Sequence, residues 1–99
     1  MVEVDTQKDA ATILATGPFR GCDGIEQASD GTIFVTGFEN GRLWRMDAAG
    51  NNVKKLLDLD TDLHLVARQT LADLTLDEAA HKLYVPDTLH GTLVVVATE

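Results

Sequence analysis

Ile33-Phe34-Val35-Thr36-Gly37-Phe38-Glu39-Asn40-Gly41-Arg42-Leu43 recurs fifty residues later, in outline, as Leu83-Tyr84-Val85-Pro86-Asp87-Thr88-Leu89-His90-Gly91-Thr92-Leu93. Ile33, Phe34 and Val35 fall on Leu83, Tyr84 and Val85. Gly41 falls on Gly91 and Leu43 on Leu93. Each copy is a short apolar run rich in β-branched and aromatic residues, then a glycine-bearing turn, then a second run. That pattern predicts strands joined by hairpins. Asp30-Gly31 and Asn40-Gly41 are the clearest turn signals, because Gly and Asn tolerate the positive φ that tight turns need.

The repeat extends in both directions. Upstream the offset is 49, with Gly24-Ile25 on Asp73-Leu74, and the turn Asp77–Lys82 is one residue longer than Ala28–Thr32. At the N-terminus the offset is 42, with Val4-Asp5 on Met46-Asp47 and Ile13-Leu14-Ala15 near Lys55-Leu56-Leu57. With four strand types A to D, the chain reads C, D, A, B, C, D, A, B, C. Four short antiparallel strands per repeat of about 40–50 residues is the pattern of a β-propeller blade. A plain β-sandwich is the competing all-β reading. The expected organisation is strands C and D of a shared blade in 1–20 and a complete blade in 21–60. A connection over 61–71 and strands A to C of a second shared blade in 72–99 follow. The span from Thr61 to Leu71 lacks turn punctuation and reads as a long connection, with a helical turn as the alternative. Pro18 and Pro86 are expected near strand edges, where a missing N–H is tolerated.

Two blades cannot close a ring, which takes about four to eight. Either the chain is a piece of a longer one or several copies associate. The expectation is a homotrimer supplying six blades, with another ring number or a differently stacked dimer as alternatives. Met1–Gln7 and Leu93–Glu99 claim the same blade position. Two readings follow: the C-terminal A, B and C strands of one chain are completed by the N-terminal D strand of a neighbour, or the chain ends simply fray.

Composition sets outer bounds. The chain has 99 residues, 44% of them apolar and 24% charged, which is ordinary for a folded domain. Sixteen acidic against eight basic side chains give a net charge of −8. That argues against a nucleic-acid partner and against docking on anionic lipid. No apolar run is long enough for a membrane helix, and no secretory signal is visible, so the default expectation is cytoplasmic. The single cysteine, Cys22, allows neither an internal disulfide nor a cysteine zinc cluster.

Gly21-Cys22-Asp23-Gly24-Ile25, Asp30-Gly31-Thr32-Ile33-Phe34-Val35 and Asn40-Gly41-Arg42-Leu43-Trp44-Arg45-Met46-Asp47 together resemble a blade of the SMP-30/gluconolactonase/LRE-like family. Ala72-Asp73-Leu74-Thr75-Leu76-Asp77 with Lys82-Leu83-Tyr84-Val85-Pro86-Asp87 looks like a last blade of the same group, and NHL repeats are similar at this level. The resemblance covers nearly the whole chain but about a third of a six-bladed member. It implies a divalent metal (Ca, Zn or Mn) in the central channel and hydrolysis of sugar-lactone-like ligands. Asp23 matches the Asp of the family's Pro-Asp-Gly, which binds metal and assists catalysis, although Cys22 stands where the family has Pro. The family's Glu and Asn ligands belong to blades this chain lacks.

The residues themselves support the same candidates. A carboxylate at the start of the innermost strand faces the channel mouth, and hard cations take oxygen ligands. Asp23 is thus a candidate for metal and catalysis, and Asp73 for metal. Three copies of Asp23 around an axis would repel unless a cation neutralised them. His64, in the long connection, is a candidate general base overhanging the channel. Each has a plainer role available: Asp before Gly as a turn residue, His64 as a solvated side chain. Cys22 reads as a semi-buried structural thiol, and Trp44, Phe34, Phe38 and Tyr84 as packing between blades. Asp58-Leu59-Asp60-Thr61-Asp62 reads as a solvated loop, lacking the Gly and Glu of a calcium loop. Two function classes follow: a metal-dependent lactone hydrolase or small-ligand module, and a non-enzymatic structural or interaction propeller without catalytic blades.

Overall fold

A computed structural model describes residues 1–5, 10–14 and 21–98, and its strands form three antiparallel sheets. The first is a hairpin of β1 (Val2–Asp5) and β2 (Ala10–Ile13). The second has β3 (Cys22–Gln27), β4 (Ile33–Gly37), β5 (Arg42–Met46) and β6 (Lys54–Asp58) in chain order. One helical turn, α1 (Leu59–Leu63), follows. The third has β7 (Thr75–Asp77), β8 (Lys82–Asp87) and β9 (Thr92–Ala97), again in chain order. The protein is all-β with almost no helix. Gln7, Ala15, Pro18 and Glu99 lie outside the described residues.

The repeat read from side chains is also a repeat of register. In the second sheet β4 and β5 pair Ile33 with Met46, Phe34 with Arg45, Val35 with Trp44, Thr36 with Leu43 and Gly37 with Arg42. Adding fifty to each gives the observed β8–β9 pairs, from Leu83 with Val96 to Asp87 with Thr92. The upstream offset of 49 holds too: Glu26 pairs with Phe34, and Thr75 with Tyr84. The N-terminal hairpin pairs Val2 with Ile13 and Glu3 with Thr12, matching Trp44 with Lys55 and Arg45 with Lys54 at the offset of 42.

Because strand side chains alternate, each sheet has two faces. One face of the second sheet carries Phe34, Leu43 and Leu57. It packs on Leu83 and Val85 of the third sheet, with Leu59, Leu71 and Leu74 closing the ends of the core. The other face carries Ile33, Val35 and Met46, against which Met1, Leu14 and Trp44 pack. The middle sheet is therefore covered on both sides, which is why β4 is buried from end to end although apolar residues occupy both its faces. Phe34 and Trp44 serve as inter-sheet packing, whereas Tyr84 lies on the outward face of the third sheet, paired with Val95.

Three polar contacts lock the second and third sheets. Thr36, fully buried, accepts from the Gly24 N–H at 2.9 Å and donates to the Ala72 carbonyl at 2.5 Å. The Ser29 N–H donates to Glu78 Oε1 at 2.6 Å, and the Thr70 N–H to the Phe38 carbonyl at 3.0 Å. At Gly24 the backbones come so close that a Cβ would sit 2.8 Å from the Asp73 Cα. Only glycine permits that approach.

Two local expectations are corrected. The acidic run is not a solvated loop. Asp58 is 3% exposed and caps α1, accepting from the Asp60 and Thr61 N–H groups. Four polar residues in five hid the turn, but Asp at an N-cap and Leu59 buried behind it suffice to build one. Pro86 is not at an edge but inside β8, the middle strand of its sheet. It lies beyond the end of β7, where its carbonyl takes the Ala72 N–H.

Candidate functional site

Cys22, Gly37, Arg42 and Asp58 stand opposite one another on β3 to β6 and form a single row across one end of the second sheet. The corresponding end of the third sheet is the row Leu71, Asp87, Thr92. Residues that bear chemistry gather at this end because four strand ends and the inter-sheet connection all reach it.

Asp58 is the most heavily engaged of them. Arg42 Nε and Lys55 Nζ each donate to its Oδ2 at 3.1 Å. Burial pushes its carboxyl up, but the bonds from Lys55, the Thr61 N–H and Arg42 outweigh that and hold it below the usual carboxylate value. In turn the Asp58 N–H donates to Asp62 Oδ2 at 2.8 Å. This network fixes the exit of β6 and the start of α1. Every acceptor position on Asp58 faces protein donors, so its role is structural.

The second buried carboxylate is Asp87, 2% exposed. Its Oδ1 accepts from the Leu89 and His90 N–H groups, both at 3.1 Å, and its Oδ2 meets His90 Nδ1 at 2.5 Å. The pair holds the turn into β9 and orients the His90 ring. The sequence reading assigned Asp58 to a solvated loop and gave Asp87 no role of its own. A carboxylate two to three residues ahead of backbone N–H donors was the available signal.

The sequence-predicted site residues divide. Asp23, on β3, is exposed. Asp73 is exposed too, and its Oδ1 accepts the Leu74 N–H at 2.9 Å. It is Gly24, the residue after Asp23, whose backbone closes up on Asp73. His64 is set apart from them in role. It is the left-handed residue that ends α1, with φ +55°, and its N–H bonds back to the Asp60 carbonyl at 3.1 Å. Its side chain is exposed, and α1 packs chiefly on β6. Cys22 is exposed rather than semi-buried. Partial desolvation of its sulfur pushes the thiol up, against the requirement of a nucleophile.

An open cleft of about 540 Å³ lies at this end, bordered by Arg42, Asp58, Asp60, Leu65 and Arg68. A second, of about 430 Å³, lies between the sheets at the opposite end, bordered by Phe34, Arg45, Glu78 and His81. Among the described residues no three His, Cys, Asp or Glu side chains group as a metal site. Asp23 and Asp73 alone do not make a ligand set within one chain. Compared with models of protein families and with curated proteins, the chain finds no match.

Proposed function

We propose that this chain is a β-propeller module whose function is assembly: copies stack head to tail into a closed scaffold or interaction ring, with a homotrimer supplying six blades. The observation that carries the reading is the repeated register. The β4–β5 pairs recur in β8–β9, and the sheet they belong to packs on the next one through a shared apolar core. Propeller blades stack in this way around an axis. Leu93 is 61% exposed and Val95 51%, although their repeat equivalents Leu43 and Arg45 lie on the face that the next sheet covers. An apolar strand face left open in this way favours a further sheet. Light scattering tests the reading, with the trimer mass expected. A single-subunit mass at every concentration up to the solubility limit overturns it.

A second reading is favoured by two exposed acidic residues, Asp23 and Asp73, at the joint where the backbone of Gly24 meets that of Asp73. It is a site for a small ligand of sugar-lactone type, or for a divalent cation, created when several copies of Asp23 and Asp73 surround the channel. SMP-30-like lactonase chemistry would then depend on assembly. Thermal shift with Ca²⁺, Zn²⁺ and Mn²⁺, repeated with Asp23→Ala, tests it. A metal-dependent rise lost in the variant is expected, and no rise with any of the three removes the reading.

A further inference from the structure

We propose that β1 is a stand-in: in the assembled protein, β9 of a second copy displaces it and takes its place along β2. This rests on the ring reading above and specifies its joint.

Three observations converge. First, β1 and β9 are equivalents. The offsets of 42 and 50 carry Met1 to Leu43 and Leu93, Val2 to Trp44 and Val94, and Val4 to Met46 and Val96, and the pairing registers follow the same offsets. Met1 packs on Ile33, Val35 and Met46. The equivalent side chains Leu93 and Val95 of a second copy would meet that same face. Second, β1 is a poor occupant of its position. It spans four residues, two of them acidic, and Val2 and Val4 are 61% and 60% exposed. Displacing it gives up little buried apolar surface. Third, β9 is a strong candidate to replace it. Thr92-Leu93-Val94-Val95-Val96-Ala97 holds six residues with no charge and no proline, and among the described residues β8 is its one strand neighbour. Such an edge is a template for strand addition. Gly91 points the same way. At its equivalent, Gly41, a Cβ would lie 2.7 Å from the Ala67 carbonyl of the segment leading to the next sheet, whereas at Gly91 nothing lies within 4 Å.

The exchange carries the hairpin register across chains. Val4 stands opposite Ala11 within one chain, so Val96 of the second copy would stand opposite Ala11. Two cysteine experiments in a Cys22→Ser background test this. A Val4→Cys, Ala11→Cys double variant ties β1 to β2 by a disulfide when oxidised. The expected result is a monomer when oxidised and the oligomer once reduced. Mixing single variants Ala11→Cys and Val96→Cys should give an intermolecular disulfide between the two. Deletion of Met1–Asp5 removes the competing strand and should lower the concentration for half-assembly about tenfold, a shift set by losing one short strand pairing. If the oxidised double variant assembles as readily as the reduced one, or the mixed variants fail to cross-link in the oligomer, strand exchange is wrong while the ring stands. If neither the parent chain nor the deletion variant assembles, the ring reading has failed with it.

Discussion

Thr36 shows how one side chain joins two sheets. Its hydroxyl accepts from Gly24 and donates to Ala72, and it is fully buried. Thr36→Val keeps the shape but strands a buried N–H and a buried carbonyl, so a loss of about 1–3 kcal/mol is expected in urea unfolding. Asp58 has a different signature. Its carboxyl is held below the ordinary value of 3.8, so its contribution is fully present above that pH and is lost as pH falls through the lower folded value. Arg42 and Lys55 are about two-fifths exposed, which screens the ion pairs to about 1 kcal/mol. Asp58→Asn keeps a capping oxygen and removes the charge. The variant should unfold more easily than the parent at neutral pH, and the difference should shrink as the buffer is taken below 3.8. A gap that stays constant with pH would assign the stabilisation to packing.

The strands were legible from sequence because each is bounded by a turn residue and each repeats. Ile33-Phe34-Val35 and Leu83-Tyr84-Val85 can be set in register from sequence alone, since a fixed offset with matching glycines leaves little freedom. The turn α1 was not legible. A five-residue helix has no periodicity to detect, and its cap, Asp58, sits in a run of acids that composition assigns to solvent. Of the candidate residues, Asp23 stood out by its match to a family motif, whereas the engagement of Asp87 with His90 depends on a turn that folds back within three residues. Gly24 marks where element packing rests on a single atom. Gly24→Ala places a methyl 2.8 Å from both the Asp73 Cα and Leu74 Cδ2. The second and third sheets must separate to admit it, at a cost of about 1–3 kcal/mol. Hydrogen exchange should then quicken at Leu74 and Thr70 while the β4–β5 ladder keeps its protection.

At the scale of the whole molecule, the described residues form a stack of three sheets, with one covered sheet in the middle and an open face at each end. Val2, Val4, Leu93 and Val95 of the outer faces are among its exposed large apolar residues. That open apolar surface gives the molecule a reason to associate, and association is measurable without knowing its geometry. When folding and assembly are coupled, mass action makes the melting temperature depend on protein concentration. For a domain of about 100 residues, about 1 kcal/mol moves Tm by roughly 4–8 °C, so a tenfold change in concentration should shift it by several degrees. Leu93→Asp places a charge on an already exposed position and should leave the dilute-limit Tm nearly unchanged. It should also abolish the concentration dependence, because the charge would be buried only in the assembled state. A parent chain whose Tm does not move with concentration would mean that the open faces stay in water.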